Sequence, residues 1–480
     1  MTVTILDCYT DEPSGLGVPP NLGTYPRYLA GSLGGDVKYL TIDDLRLYKK
    51  YNMKRLDPKP SQKTNIAVNN LTKNIDDIKE ILDNTERLYV ILGVHVPGKY
   101  LSATPGTLHE VIPLIQDLKC EKILTGPVVY GTQLIGGKFS EKEDLSIFNK
   151  IERINEDYSK IAKDAIKGAK IIKQIPDLRI VEIETGRGCK FGKCSFCLEP
   201  IKNRLEWREK NDIINEIKEF YKLGARYFRL GKQSSFFAYP ELEGLLKGIW
   251  KECPEIKVLH IDNVDPCDVT EEKVKTVVKY CTSGNIAAFG VESFDEVVMK
   301  ENTLNSSPNM SYRAIKLLNK YGKERGDNGM PKFLPGINIL FGLKGESKRS
   351  HEENMKWLQR FLDEDLWFRR INIRQIAVFE DTKLYKECGD KYLKKNRKYY
   401  WKWRNDIRQK IDFQMLKKLV PEGTLLKNVR AEMYDGNTTF GRQIGTYPLI
   451  VGIKGRIPLN EFYNVKITKH MLRSVTGQVV

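Results

Sequence analysis

Three cysteines lie close together on one short stretch of the chain: Cys189, Cys194 and Cys197. Three thiolates on one loop can hold three of the four irons of a [4Fe–4S] cluster, whereas a cluster held by protein alone needs four cysteines. The fourth iron would then be open to a small-molecule ligand. Phe196 precedes the last cysteine, where its ring can pack against that ligand.

Two other uses of three cysteines have to be weighed. Structural zinc takes four ligands, and no cysteine or histidine follows Cys197 until Cys253. A disulfide with a spare thiol suits an oxidising compartment, but the N-terminus does not resemble a signal peptide. The spacing therefore favours the cluster over both.

The residues on either side of these cysteines belong to a recognisable pattern. The β-branched run at 179–185 predicts a strand, and Gly-Arg-Gly then turns the chain into Cys189. This turn, the tight cysteine loop and the strands after it resemble the radical SAM superfamily. The first gap between cysteines holds four residues where the family has three, a difference that a loop absorbs easily.

The resemblance implies a cofactor and a chemistry. In that superfamily the open iron binds S-adenosylmethionine (SAM) through its methionine amino and carboxylate groups. One electron from the cluster cleaves SAM to a 5′-deoxyadenosyl radical, so an electron donor such as a ferredoxin or flavodoxin is expected as a partner.

The segment 179–385 alternates strands and helices six times, as expected for the partial (β/α)6 barrel of the superfamily. Chemistry in such barrels sits at the carboxyl ends of the strands. The strands after the first are predicted at 227–231, 257–261, 286–290, 333–341 and 370–379.

The strand ends carry residues that the resemblance assigns to SAM. Gly231, Lys232 and Gln233 stand where the family has a glycine-rich stretch for the methionine amine, with Gln233 in place of the usual acid. Glu292 would hydrogen-bond the ribose, and its alternative role is to cap the following helix. Three positions on the strand at 333–341 and just after it would line adenine: Gly336, Asn338 and Gly342.

Residues 1–131 also alternate strands and helices, which predicts a Rossmann-like, doubly wound parallel sheet. The segment 17–33 resembles the opening of the cobalamin-binding-like domains that precede many radical SAM cores. The motif that supplies a histidine to cobalt is absent. Two interpretations of this domain stay open. It could bind cobalamin without a histidine ligand, or it could only dock the substrate. A charged helical connector is predicted at 132–178.

The segment 386–422 interleaves cations with aromatic rings, a composition suited to phosphates and unpaired bases. An amphipathic helix with a solvated basic face is the alternative, and the two are compatible. The candidate RNA-binding residues here are Arg397, Lys398, Trp401 and Arg404.

The last segment, 423–480, reads as short strands and glycine turns, which predicts a small β-barrel. It resembles the TRAM domain, an OB-like module of RNA-modifying enzymes, with Arg442 and Lys454 as candidate RNA contacts. A barrel that only stabilises the core is the alternative.

Composition supports a polyanionic partner. The chain has 480 residues and a formal net charge of +17, which favours nucleic acid. No apolar run is long enough to span a membrane, and the scattered cysteines suit a cytoplasmic location.

The whole pattern predicts an α/β radical SAM enzyme, a transferase, that modifies RNA at carbon. A tRNA base is the expected target and methylation the expected product. The layout is similar to that of tRNA methylthiotransferases, which carry three further cysteines in the N-terminal domain. That region here has only Cys8 and Cys120. Methylthiolation, a small-metabolite substrate and a non-catalytic RNA-binding protein with a structural cluster are the alternatives.

Overall fold

The computed structural model describes residues 2–8, 21–54, 70–93, 105–130, 134–135, 139–140, 144–153 and 157–480. Part of the predicted cobalamin-like segment, residues 17–20, lies outside these ranges. The α-helices are Thr24–Leu33, Ile42–Tyr51, Ile78–Asp83, Leu108–Ile115, Tyr158–Gly168, Glu199–Lys202, Lys210–Lys222, Leu242–Glu252, Glu271–Tyr280, Glu296–Glu301, Pro308–Gly322, Lys348–Asp363, Lys383–Cys388, Lys391–Asp406 and Phe413–Leu419, with a π-helix at Ile407–Asp412.

The N-terminal sheet is parallel and five-stranded, which confirms the predicted α/β class. Its central strands are buried because helices such as Ile42–Tyr51 and Leu108–Ile115 pack their apolar faces on it. The sequence predicts four of these strands, at 2–8, 36–42, 87–93 and 122–126, and the observed bounds agree to within about two residues. The fifth, Lys150–Ile151, lies within 132–178, where the sequence predicts a helical connector, so that prediction is wrong at this strand. In spatial order the strands are Val37–Thr41, Val3–Asp7, Arg87–Ile91, Glu121–Thr125 and Lys150–Ile151.

The six predicted barrel strands are all present, in two four-stranded sheets. One has the order Val258–Ile261, Tyr227–Gly231, Ile180–Glu184, Asn21–Leu22, and the other Asn263–Val264, Asn285–Glu292, Phe333–Phe341, Arg370–Gln375. The described pairs in these sheets are parallel. The short strand Asn21–Leu22, which pairs with Ile180–Val181, has no counterpart in the sequence prediction.

The C-terminal segment forms a closed five-stranded barrel. Inward-facing side chains such as Val429, Val451 and Val475 fill its interior, and closure leaves no unpaired sheet edge. Its strands are Leu425–Asp435, Thr438–Gln443, Ile450–Lys454, Phe462–His470 and Ser474–Val479.

The chain divides into two compact units. The first comprises residues 1–183, 208–228 and 252–256, and the second comprises 184–207, 229–251 and 257–480. The cysteine loop, all the candidate SAM positions and the C-terminal barrel belong to the second unit. Within the described ranges, no helix is long and apolar enough to cross a membrane.

Candidate functional site

The cysteine loop begins at a short antiparallel strand pair, and the close approach of the chain there requires glycine at two positions. Gly186–Arg187 pairs antiparallel with Glu206–Trp207, and a Cβ on Gly186 would lie 2.3 Å from the Trp207 ring. Gly188 has φ +79°, and a Cβ there would lie 2.6 Å from the Arg204 carbonyl carbon. The Gly-Arg-Gly turn is therefore a requirement of close backbone approach.

Ser195 anchors the middle of the loop, a role that the sequence analysis did not assign. Its hydroxyl donates to Asn302 Oδ1 at 2.8 Å and its backbone N–H donates to the Asn302 carbonyl at 2.9 Å. Its carbonyl accepts from the Leu384 N–H at 2.7 Å. The neighbouring Phe196 ring packs with apolar side chains that include Leu343 and Leu393. These hydrogen bonds and apolar contacts fix the part of the loop that lies between Cys194 and Cys197.

A backbone N–H faces each of the three thiols. Gly192 donates to Cys189 Sγ at 3.4 Å, and the backbone N–H groups of Asn305 and Glu199 act on Cys194 and Cys197 and lower their pKa. Hydrogen bonds to the sulfurs are one means by which proteins set the properties of iron–sulfur clusters. The donor set therefore fits a cluster held by three thiolates. Among the described residues, no three His, Cys, Asp or Glu side chains converge on a single ion.

Burial makes two of the thiols, those of Cys194 and Cys197, weaker acids than usual. It raises the pKa of Cys194 to about 12 and that of Cys197 to about 11, and the neighbouring thiols and Glu292 add to the effect. Metal binding needs thiolates, so iron must displace these protons when the site is loaded.

Glu292 lies close enough to Cys194 and Cys197 for its charge to act on both. It occupies an irregular point of the strand pairing, with φ +60°. Burial raises its pKa to about 7, against the charge of Arg374. The capping alternative does not hold, because Asp295 caps the helix Glu296–Glu301.

Gln233 lies at the end of the strand Tyr227–Gly231 and is 1% exposed. Its Oε1 accepts from the Thr185 hydroxyl at 3.0 Å, and the Gly231 carbonyl accepts from the Thr185 N–H at 3.2 Å. Its Nε2 is buried and has no hydrogen-bond partner within the described part of the chain. Lys232, which lies between Gly231 and Gln233, has φ +73°. An unused buried donor fits a cofactor carboxylate, such as that of SAM.

The candidate adenine positions are on the strand Phe333–Phe341 and just after it. A Cβ on Gly336 would lie 3.0 Å from Ile286 Cγ2, and Asn338 Oδ1 accepts from Asn372 Nδ2 at 2.9 Å. Gly342 makes a turn with φ +99°, and its N–H donates to Glu346 Oε2 at 2.7 Å. The positive φ of this turn is enough to explain why residue 342 is a glycine. Contact of these three positions with SAM stays a prediction.

The basic segment forms the helix Lys391–Asp406 with two distinct faces. Trp403 is buried against Phe341 and stacks on His351, as the amphipathic alternative requires. Trp401 is 65% exposed, with the Arg404 guanidinium 5.4 Å from its ring centroid. Arg397 and Lys398 are exposed on the same helix.

In the C-terminal barrel the two candidate RNA contacts differ. Lys454 is exposed at the end of its strand. Arg442 is 0% exposed and pairs with Glu432 at 3.0 Å. Arg442 therefore stabilises the barrel interior and is removed from the candidate RNA surface.

The model of the radical SAM superfamily matches residues 183–358, a range that includes all three cysteines, Gln233 and Glu292. The chain contains a radical SAM domain. This is a radical SAM enzyme, and a [4Fe–4S] cluster and SAM are its cofactors.

Two archaeal proteins are similar to the chain over its whole length. One, an uncharacterized protein of Methanocaldococcus jannaschii, is 39% identical over 534 residues, covering 99% of this chain and 93% of that protein. The other, from Archaeoglobus fulgidus, is 39% identical over 508 residues, covering 99% and 90%. The chain belongs to the same family as these two proteins.

The fold is similar to that of a radical SAM methyltransferase, TsrM of Kitasatospora setae, solved with cobalamin and a [4Fe–4S] cluster bound. The TM-score is 0.51 at 12% identity, over 81% of this chain and 78% of that one. At this identity the likeness concerns the fold alone.

Proposed function

We propose that this radical SAM enzyme is a transferase that methylates a carbon of an RNA base, with tRNA as the substrate. The observation that carries the RNA part is the exposed face of the helix Lys391–Asp406, where Trp401 lies among Arg397, Lys398 and Arg404. Lysine and arginine neutralise phosphates, and an exposed indole stacks on an unpaired base.

The chain's own residues prepare the cofactor site. Three backbone N–H groups orient the thiols of Cys189, Cys194 and Cys197. Thr185 holds Gln233 so that Nε2 is free to donate to a carboxylate. When bound, the cluster and SAM supply a carbon-centred radical, which is needed where the target is an unactivated C–H bond.

Cobalamin is the methyl carrier in this proposal. The N-terminal sheet is parallel, and in doubly wound folds ligands bind at the carboxyl ends of such strands. The TsrM structure, whose fold is similar, holds cobalamin. Purified protein reconstituted without oxygen should bind cobalamin, and failure to do so would remove this part of the proposal.

The decisive experiment is mass spectrometry of nucleosides from total tRNA of the source organism, with and without the gene. A nucleoside lost on deletion should return with the wild-type gene but not with Cys194→Ala. Its mass separates a methyl from a methylthio product. An unchanged profile would contradict the RNA substrate and favour a small metabolite.

A further inference from the structure

Two asparagines contact each other across neighbouring parallel strands. Asn338 on the strand Phe333–Phe341 is in register with Asn372 on the strand Arg370–Gln375. Asn372 Nδ2 donates to Asn338 Oδ1 at 2.9 Å, so both side chains lie on one face of the sheet. We call these two residues the asparagine pair.

The sheet is open to solvent in the carboxyl halves of its strands. Strands of a parallel sheet are normally buried on both faces, yet Gly290 and Arg374 are exposed and Asn338 is partly exposed. A Cβ on Gly290 would meet only the Glu292 carboxylate, at 3.2 Å. The asparagine pair is therefore next to accessible space near the carboxyl ends of the strands, where ligands bind in α/β sheets.

The asparagine pair keeps hydrogen-bonding groups that no other residue in the described part of the chain uses. Asn372 is 5% exposed, and the bond to Asn338 is its one side-chain hydrogen bond within these residues. Asn372 Oδ1 and Asn338 Nδ2 are left over, and neither atom is sealed from solvent. Exchanging oxygen and nitrogen in both amides gives the same result, which is one donor beside one acceptor.

A buried asparagine with a structural role uses its groups more fully. Asn319, at 7% exposure, donates from Nδ2 to the Ile315 and Trp367 carbonyls, both at 2.9 Å. Its Oδ1 accepts from the Trp367 N–H at 2.6 Å. Buried polar groups are nearly always paired, because an unpaired one costs stability. The unused groups of the asparagine pair are therefore typical of a site whose partner comes from outside.

The asparagine pair lies beside the cysteine site. Glu292, whose charge acts on two of the thiols, is in register with Ile339 on the next strand. Asn338 is the residue before Ile339. Neighbouring strands are about 5 Å apart, so a group bound by the pair is within about 10 Å of Glu292. A substrate held there is next to the cofactor positions.

We propose that the asparagine pair binds the substrate through a planar group that carries a hydrogen-bond donor beside an acceptor. The edge of a nucleobase has this pattern, and asparagine side chains are common partners of such edges. A primary amide of a small substrate has the same pattern. The RNA source rests on the proposed function, whereas the chemistry of the pair does not depend on it.

The test measures binding of five probes to the full chain reconstituted with its cluster: the four ribonucleosides and benzamide, a planar primary amide. Saturating S-adenosylhomocysteine is present, so that no probe occupies the adenine site of SAM. Calorimetry should detect binding of at least one probe to the wild-type protein. Asn372→Asp leaves only acceptors on the edge, because the carboxylate takes the Asn338 donor, and should weaken that binding at least about 10-fold.

The matched control is Asn437→Asp, the same chemical change at an exposed turn, which should change binding less than about 2-fold. Two results would overturn the proposal. One is that none of the five probes binds. The other is equal binding by wild type and Asn372→Asp, which would assign the pair a structural role. Should Asn372→Asp fail to fold, Asn338→Asp, at the partly exposed position of the pair, replaces it with the same expectations.

A cofactor arm is needed because the adenine of SAM has the same edge. S-adenosylhomocysteine should bind wild type and Asn372→Asp with affinities within about 2-fold of each other. A loss of about 10-fold or more would assign the pair to SAM and contradict the proposal.

The probes also separate the two sources of the group. Nucleoside binding that is lost in Asn372→Asp assigns the pair to an RNA base. Binding of benzamide alone, lost in the same variant, supports the pair and assigns it to an amide of a small substrate. An unchanged tRNA nucleoside profile on gene deletion would contradict the proposed function without affecting either result.

Discussion

The cysteine loop and the pair Arg442–Glu432 of the C-terminal barrel handle charge in opposite ways. The loop takes its three thiols from nine consecutive residues, 189–197, and a backbone N–H faces each one. The pair joins two neighbouring strands of the barrel, where the Glu432 carboxylate lies 3.0 Å from the Arg442 guanidinium. The loop needs iron to complete it, whereas the barrel pair is complete within the fold.

The difference also shows how buried charge is tolerated. A buried carboxylate such as Glu346 can accept a proton, and burial raises its pKa to about 7. Arginine has no such route. Buried Arg442 therefore needs the Glu432 carboxylate beside it, whereas a buried glutamate can be neutralised by a lower pH.

The largest expected effect is on the loop. Cys194→Ala removes one of three iron ligands, so iron content after reconstitution should fall and 5′-deoxyadenosine formation should drop to background. Cys120→Ala, in the apolar core beside the N-terminal sheet, is the matched control and should retain both. Wild-type SAM cleavage in the Cys194 variant would show that the loop does not hold the cluster.

A second prediction tests the contrast between glutamate and arginine. The folded pKa of Glu346 is raised, so its protonated form stabilises the fold fully below about pH 4.5, and this stability is lost as pH rises through about 7. Glu346→Gln should match wild type in unfolding free energy near pH 4 and exceed it by about 3 kcal/mol at pH 8. Denaturant titrations at the two pH values measure this. A constant difference between the two proteins would contradict the raised pKa.

The glycine turn is the third target. Gly188→Ala combines positive φ with a Cβ 2.6 Å from the Arg204 backbone, so it should cost about 2 kcal/mol of stability and reduce cluster loading. Gly423 also has positive φ, +87°, but nothing lies within 4 Å of a Cβ there. Gly423→Ala should therefore cost about 1 kcal/mol and leave iron content unchanged. Equal loading in both variants would mean that the close approach is not needed.

The smallest expected effect is at the loop anchor. Ser195→Ala removes the 2.8 Å bond to Asn302 and leaves a buried acceptor with one partner fewer, for about 1 kcal/mol. The variant should unfold at a lower temperature than the wild type and should lose iron to a chelator faster. Ser159→Ala, at an exposed position, is the control with little effect.

Much of the architecture was readable from the sequence because its signals are local. Alternating apolar runs gave the parallel sheets, and the strand Tyr227–Gly231 was predicted with its observed bounds. The spacing of Cys189, Cys194 and Cys197 indicated a cluster, since a short loop must bring neighbouring residues together. The surface position of the candidate RNA-binding cations was harder to predict. Arg442 is buried, because the sequence pattern of a small barrel does not distinguish an interior residue from a surface residue.

The sequence by itself determined the cysteine loop, the glycines that shape it and the order of strands, since these depend on neighbouring residues and on the period of side chains along the backbone. Only the tertiary structure decided that Ser195 bonds Asn302, that Gln233 keeps an unused buried donor, and that Arg442 lies inside the barrel against Glu432. The first of these contacts joins residues about a hundred positions apart, and no local pattern encodes a meeting that arises when separate loops, helices and strands pack together.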